Sequence, residues 1–196
     1  MKKGLVVLLV VLAVLGVVAL FFSGTYNGLV RAEETVNQAW AQVENVYQRR
    51  LDLIPNLVET VKGYAAHEKS TFVEVTEARA KAAGSISPGV INDPAKFQQF
   101  QESQTALSSA LSRLMVVVEK YPDLKANENF LSLQTQLEGT ENRISVERGR
   151  FNEAAQAFNI QLRQFPTNIL GGMFGFKIKE YFKADAQAKV APKVQF

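Results

Sequence analysis

The pattern of apolar and polar positions divides the chain into one uninterrupted apolar run and a longer region with helical periodicity. The run from Gly4 to Phe22 contains no charged and no strongly polar residue. As an α-helix it would be about 28 Å long, close to the roughly 30 Å hydrocarbon core of a bilayer. We therefore expect residues 4–22 to cross the lipid bilayer, and we take residues 1–25 as a transmembrane anchor.

A cleaved secretory signal peptide is the alternative interpretation of this start, because Lys2 and Lys3 resemble its basic segment. The run is longer than the roughly 7–15 apolar residues that are usual there, and Val17-Val18-Ala19 is the only passable cleavage site. The pattern favours an uncleaved anchor. By the positive-inside rule, the two lysines predict a cytoplasmic N-terminus and place the rest of the chain outside.

Beyond the anchor, apolar residues recur at steps of three, four or seven, which indicates amphipathic helices. The first helical face runs from Leu29 to Leu51 and is expected to continue the anchor. Pro55 then predicts a break at residues 52–54, because proline disrupts a helix interior. One long kinked helix is the alternative.

Three further helices follow in the pattern. The second ends near residue 83, before a Gly/Pro-rich loop at residues 84–94. The third spans residues 97–121 with a heptad seam in which only Gln104 is polar, and the fourth spans residues 130–165. Four such helices with short connections predict an all-α fold, an antiparallel up-and-down four-helix bundle over residues 26–168. Residues 169–196 form a Gly/Phe-rich and Lys-rich tail that is expected to be disordered from about Ala184.

Composition excludes several functional classes. The chain has 22 basic and 19 acidic residues, and without the two lysines of the anchor the balance is nearly even, so there is no nucleic-acid-binding footprint. The absence of cysteine excludes disulfides and thiolate metal sites. His67 is the only histidine, and Thr71 stands where a zinc protease helix needs its second histidine. We therefore expect no cofactor and no catalysis.

The stretch RRLDLIPNLV at residues 49–58 resembles the bacterial LemA family. Further matching stretches are YPDLKA at residues 121–126, ENRI at residues 141–144, Phe165-Pro166 and Phe174-Gly175-Phe176. The resemblance implies a bacterial single-pass membrane protein with a four-helix bundle and no established activity. Together with the orientation that the two lysines predict, we expect it in the inner membrane with the bundle on the outer, periplasmic side. It also implies a membrane metalloprotease of the HtpX kind as a partner. The family more often shows Tyr-Asn where this chain has Phe158-Asn159.

Several polar residues fall in phase with the apolar seams of the predicted helices. One interpretation is a carboxylate pair that awaits a metal or a proton. We favour an internal network that fixes helix register, with Arg148 paired to Glu33, because unpaired buried charges are costly. The residues of this candidate network are Glu33, Glu68, Arg79, Glu141 and Arg148, with Arg50 and Gln104 also in phase.

An up-down-up-down bundle would bring the tail back to the membrane. Aromatic residues beside lysines suit the membrane interface. The alternative is that they cap the open end of the bundle. The candidate interface residues are Phe174, Phe176, Lys177, Lys179, Tyr181 and Phe182.

The same topology would bring two predicted turns together at the end far from the membrane. They are candidates for a partner-binding surface, and we favour the alternative that they only cap helices and turns. The residues are Arg49, Arg50, Asp52, Asn56, Tyr121, Asp123 and Lys125. The sequence as a whole predicts a non-enzymatic, membrane-anchored interaction module, such as an adaptor, scaffold or assembly subunit. An envelope domain that senses a ligand or stress is the alternative, and the heptad seams are compatible with homo-oligomers.

Overall fold

The structure is a computed structural model that describes residues 2–183, and every regular element in that part of the chain is helical. This confirms the predicted all-α class, while the expected disorder from Ala184 lies outside the described residues. The helices are α1 (Lys2–Lys62), α2 (Lys69–Ser85), α3 (Pro94–Val118), α4 (Pro122–Lys125), α5 (Glu128–Arg163) and α6 (Thr167–Met173), with a 3₁₀ turn at Val90–Asn92.

The described chain divides into two compact units. The first unit contains residues 2–38 and Glu153–Lys179, so it includes the start of α1, the end of α5 and all of α6. The second unit contains Ala39–Asn152 and residues 180–183, and it includes α2, α3 and α4.

The apolar start of α1 is exposed along its whole length. Leu5, Leu12 and Leu20 are 59%, 55% and 75% exposed, and no other described part of the chain covers them. Within residues 2–183, α1 is the one helix that is long and apolar enough to cross a membrane. Length, composition and exposure together indicate a membrane span at the position that the sequence predicts.

The predicted break at residues 52–54 is wrong, because α1 continues through Pro55 to Lys62. Proline at position 55 has no N–H to donate to the carbonyl of Leu51, four residues earlier. Arg79 of α2 supplies the missing donor, since its Nε lies 2.9 Å from that oxygen. The backbone group that proline leaves without a helical partner is thus satisfied from a neighbouring helix, and α1 has no need to end there.

The turn between α1 and α2 lies at residues 63–68 instead. The hydroxyl of Tyr64 in this turn accepts a hydrogen bond from Asn127 Nδ2 at 3.0 Å. Asn127 also caps the start of α5, because its Oδ1 accepts from the backbone N–H of Phe130 at 3.0 Å. The predicted loop at residues 84–94 is present, but it contains the 3₁₀ turn, whose Val90 and Ile91 are buried.

The core of the second unit combines side chains from α1, α2, α3 and α5. Its apolar residues follow the predicted seams, and examples from each helix are Leu57, Val75, Leu107 and Leu137. A separate aromatic cluster surrounds Trp40, whose ring centre lies 5.2 Å from Phe100 and 5.5 Å from Phe151. Such edge-on ring contacts add stability beyond the apolar area that they bury.

In the first unit, glycine allows close approach of helices and a sharp helix end. A Cβ at Gly28 of α1 would lie 2.9 Å from the side chain of Gln161 on α5, and one at Gly171 of α6 would overlap Leu162 Cδ1. Gly175 has a φ of +77° and follows α6, and the N–H of Phe176 donates to the carbonyl of Gly171 at 3.0 Å. This is the Schellman arrangement that favours glycine after a helix.

Candidate functional site

A polar interior region lies in the second unit, around Arg50 of α1. This side chain is buried, and its guanidinium donates to Ser108 Oγ of α3 at 2.7 Å. Arg50 Nε lies 2.8 Å from Glu141 Oε1 of α5, which is the distance of an ion pair, although the N–H is not aligned as a hydrogen bond. One buried cation therefore links three helices.

Burial and charge act on Arg50 in opposite directions. Burial in the helical core lowers the pKa of the Arg50 guanidinium, because desolvation disfavours the charged form. The carboxylate of Glu141 raises that pKa and partly offsets the effect of burial. The Glu141 side chain is 48% exposed, so the buried guanidinium of Arg50 pairs with a carboxylate that contacts solvent.

A cleft of about 130 Å³ opens beside this group, lined also by Gln104 and Arg148. Gln104 is buried, and its Nε2 lies 3.4 Å from the carbonyl of Ala82. Its Oε1 is buried and has no hydrogen-bond partner among residues 2–183. A buried acceptor of this kind normally binds water or another donor. The cleft is therefore suited to water or to a small polar molecule that carries an N–H or O–H group.

The other members of the predicted polar network bind backbone or separate partners. Arg148 donates to the carbonyl of Lys183 at 3.0 Å and lies over the ring of Phe182. Glu33 instead pairs with Lys179, whose Nζ lies 2.7 Å from its carboxylate within the first unit. Arg148 and Glu33 thus each have a partner within their own unit, and the pairing of the two with each other stays a prediction.

Two further members of the predicted network lie in α2 or directly before it. Arg79 binds the carbonyl of Leu51, as described above. Glu68 is half-buried just before α2, and its side chain makes no capping hydrogen bond.

The first four residues of the predicted partner surface lie within the continuous helix α1 and not in a turn. Arg49 donates to Gln136 of α5 at 3.0 Å, and Asp52 accepts from Gln48 one turn earlier. Asn56 is exposed on the same continuous helix.

The remaining three residues of that surface lie at α4. Tyr121 precedes this helix and Asp123 lies in its first turn, while Lys125 pairs with Glu119 at 2.6 Å. The turn that contacts the connection between α4 and α5 is the one at residues 63–68, through Tyr64 and Asn127.

Sequence reasoning missed the role of two asparagines on α5. In the first unit, Asn159 accepts from the backbone N–H of Lys179 and donates to its carbonyl, both at 2.9 Å. In the second unit, Asn152 forms the same reciprocal pair with Phe182, at 2.9 and 3.0 Å. The signal for both was in the sequence, where the dipeptide Phe-Asn occurs at residues 151–152 and again at residues 158–159.

These contacts separate the predicted membrane-interface tail into two groups. Lys179 and Phe182 are buried, at 1% and 6% exposure, so their side chains pack against the protein and present little surface to lipid headgroups. Their backbone groups are held by asparagine, and Phe182 packs 5.0 Å from Phe97. The exposed group is Phe174, Lys177 and Tyr181, with Phe176 half-buried.

The described residues offer no metal site, since they contain no group of three or more His, Cys, Asp or Glu side chains in reach of one ion.

Comparison with known proteins gives a family and named relatives. The model of the LemA family matches residues 39–196. Magnetosome protein MamQ 1 of Paramagnetospirillum magneticum is 31% identical over 202 residues, which covers 92% of this chain and 74% of that protein. Magnetosome protein MamQ of Magnetospirillum gryphiswaldense is 28% identical over 201 residues, covering 93% and 74%. Protein LemA of Metamycoplasma hominis is 24% identical over 156 residues, covering 80% and 68%.

Proposed function

Because this chain belongs to the LemA family, we propose that it is a membrane-anchored helical scaffold or adaptor that holds partner proteins at a membrane and catalyses no reaction. The apolar helix and the family together indicate a membrane-associated protein. The observation that carries the proposal is the continuity of α1. Its residues 4–22 are exposed and apolar, whereas Trp40, Leu51 and Leu57 of the same helix are buried.

This continuity is useful in a scaffold. An α-helix is a stiffer connection than a Gly/Ser-rich linker.

For the second unit we propose an antiparallel up-and-down four-helix bundle built from the second half of α1, α2, α3 and the first part of α5. Support comes from the shared apolar core of these four helices and from the short connections between them. Arg113 of α3 and Glu74 of α2 form an ion pair on the surface. Cysteines at these two positions should be joined by a short bifunctional reagent, and failure to join them would contradict the packing.

We place the N-terminus in the cytoplasm and the second unit outside the bacterial inner membrane, in the periplasm of a double-membraned cell. Support comes from Lys2 and Lys3, because the positive-inside rule keeps such residues cytoplasmic. Alkaline phosphatase fused after Phe196 should be active, while green fluorescent protein at the same site should be dark. The reverse pattern would invert the topology and leave the scaffold proposal intact.

The proposed partner is another membrane protein, with a membrane metalloprotease of the HtpX kind as the specific expectation. A photo-crosslinking amino acid at Val73, which is 55% exposed on α2, tests this in native membranes. We expect mass spectrometry to identify the same membrane protein in repeated experiments, with less of it when the probe is at the exposed polar position Glu102. Crosslinks only to lipid or to random abundant proteins would contradict a scaffold.

The second candidate function is a sensor, favoured by the buried Oε1 of Gln104 beside the cleft. Such a sensor would bind a small polar molecule with an N–H or O–H donor. Native mass spectrometry of the purified protein should then detect a bound molecule that is lost in Gln104→Leu. The same ligand-free mass for both proteins would favour the scaffold.

A further inference from the structure

The end of α5 and the helix α6 expose apolar side chains that the described chain leaves uncovered. Phe165 is 81% exposed, Met173 is 70%, Ile169 is 55% and Phe174 is 50%. Soluble proteins rarely expose large side chains in such a contiguous stretch without a partner. All four residues belong to the first unit.

The orientation of α6 is fixed by its buried face. Leu170 is 3% exposed, and Gly171 approaches Leu162 so closely that a Cβ would overlap it. Because Ile169 and Met173 are four residues apart on α6, they lie on one face of the helix and away from this contact. The packing of Leu170 and Gly171 therefore determines which face of α6 is exposed.

The position of this face relative to the membrane span follows from Tyr26. This residue lies four positions after Phe22, which is about 6 Å along a helix axis. The headgroup layer on each side of a bilayer is roughly 5–8 Å thick, so Tyr26 falls within it. The ring of Phe174 is centred 4.9 Å from the ring of Tyr26, and that of Phe176 is 5.9 Å away.

We propose that α6 and the residues beside it form an interfacial membrane contact, in which Phe165, Ile169, Met173 and Phe174 insert into the headgroup region around the protein's own span. Residues 165–178 contain Lys177 as their single charge and no acidic residue. This composition suits an interface, where aromatic and apolar side chains enter the lipid and lysine remains near the phosphates.

The bilayer is a better occupant than a second protein because the contact continues a membrane surface already present in the same unit. Tyr26 links the exposed face directly to the helix that crosses the membrane. The inference rests on the membrane anchor of the proposed function. It adds a second attachment, which would limit rotation and tilt of α1.

Spin labels on the full-length protein in lipid vesicles test this contact. The chain contains no cysteine, so each single cysteine variant is labelled at one site. We choose Met173→Cys for the contact, Leu12→Cys for the span and Gln38→Cys as an aqueous control. Gln38 is exposed in the first unit and lies about 24 Å along α1 from Phe22.

Collision rates with oxygen and with a neutral nickel chelate report the surroundings of each label. At residue 173 we expect collisions with nickel to be severalfold less frequent than at residue 38, and collisions with oxygen to be more frequent. Labels at residues 173 and 38 that respond equally would place α6 in water and overturn the inference. Exclusion of both reagents from residue 173 would indicate a covering protein and would overturn it too.

The label at residue 12 separates failure of this inference from failure of the anchor. If residue 12 responds as lipid and residue 173 as water, the anchor stands and the interfacial contact is wrong. If residue 12 is exposed to the nickel chelate, both the anchor and the contact are wrong. Unchanged emission of Trp40 in each variant serves as the check on folding.

Discussion

The hydrogen bond from Arg79 to the carbonyl of Leu51 predicts an unusual coupling between an arginine and a proline. Leu51 is 1% exposed, so its carbonyl cannot turn to water if Arg79 is removed. The substitution Arg79→Met keeps most of the side-chain volume and deletes the donor. The substitution Pro55→Ala restores a backbone N–H at the position from which Leu51 would normally receive its helical hydrogen bond.

The size of each effect follows from the groups involved. A buried carbonyl left without a donor costs about 1–3 kcal/mol, so Arg79→Met should destabilise the second unit by about 2 kcal/mol. Proline in a helix interior costs about 3 kcal/mol relative to alanine, whereas alanine gives the unfolded chain conformational freedom worth about 1 kcal/mol. Pro55→Ala should therefore raise the free energy of unfolding by the difference, about 2 kcal/mol. In the Pro55→Ala background, Arg79→Met should cost less than about 0.5 kcal/mol because the carbonyl is already satisfied.

Urea unfolding of the full-length protein in detergent micelles measures these differences. Trp40 is the only tryptophan, it is 6% exposed and it lies in the same unit as the altered residues, so its emission follows the relevant transition. Since slopes are about 1–3 kcal/mol per molar urea, an effect of 2 kcal/mol shifts the midpoint by about 1 M.

The matched control is Arg113→Met. Arg113 pairs with Glu74 at the surface, with side chains 53% and 46% exposed, so its loss should cost less than about 1 kcal/mol. That cost should be the same with proline or alanine at position 55. If Arg79→Met proves equally destabilising in both backgrounds, Arg79 acts through packing alone and the explanation for the unbroken helix is refuted.

Three further predictions concern the first unit and are measured by hydrogen exchange. Gly171→Ala should speed exchange of the amides that close α6, because overpacking costs about 1–3 kcal/mol, whereas Gly172→Ala should not, since its Cβ would meet open space. Glu33→Ala should destabilise the unit by about 2 kcal/mol more than Lys179→Met does. The lysine is 1% exposed and the glutamate 31%, so loss of the glutamate acts on a buried charge and loss of the lysine on a partly solvated one. Equal effects would contradict this. Asn159→Leu should speed exchange of the Lys179 amide roughly 30-fold, for a loss of about 2 kcal/mol, and an unchanged rate would show that asparagine does not hold the segment.

Apolar periodicity predicted the helical class, the membrane span and nearly every buried residue of the seams. Residues such as Val43, Leu107 and Phe151 recur at helical spacing and are buried where that spacing puts them. Phe165 is the clearest exception, because it ends the fourth predicted seam and is 81% exposed. Periodicity reports only that a face is apolar, and it does not distinguish a protein core from a lipid surface.

The position of the turn between α1 and α2 could not be read from the sequence in the same way. Proline is a local signal for a helix break, whereas the donor that overrides it comes from residue 79, remote in the sequence. The residues 63–68 that form the turn contain Gly63 but no proline. A local rule therefore placed the break about ten residues too early. The predicted partner surface was built on that break, so four of its residues were expected in a turn and lie in a helix instead.

The polar residues in the seams show a second limit of sequence reasoning. We expected charges of opposite sign to pair with one another, yet Arg79 and Arg148 each donate to a backbone carbonyl. Asn152 and Asn159 likewise each bind both backbone groups of one residue in the segment that follows α6. In each case the polar side chain forms a hydrogen bond with a backbone group that has no partner within a regular helix. Such a bond is needed because a buried backbone group without a partner is costly. A polar residue on an otherwise apolar helical face can therefore indicate a nearby backbone group that lacks its own donor or acceptor. Such groups occur at a proline or beyond the end of a helix, and they should be considered before a partner of opposite charge.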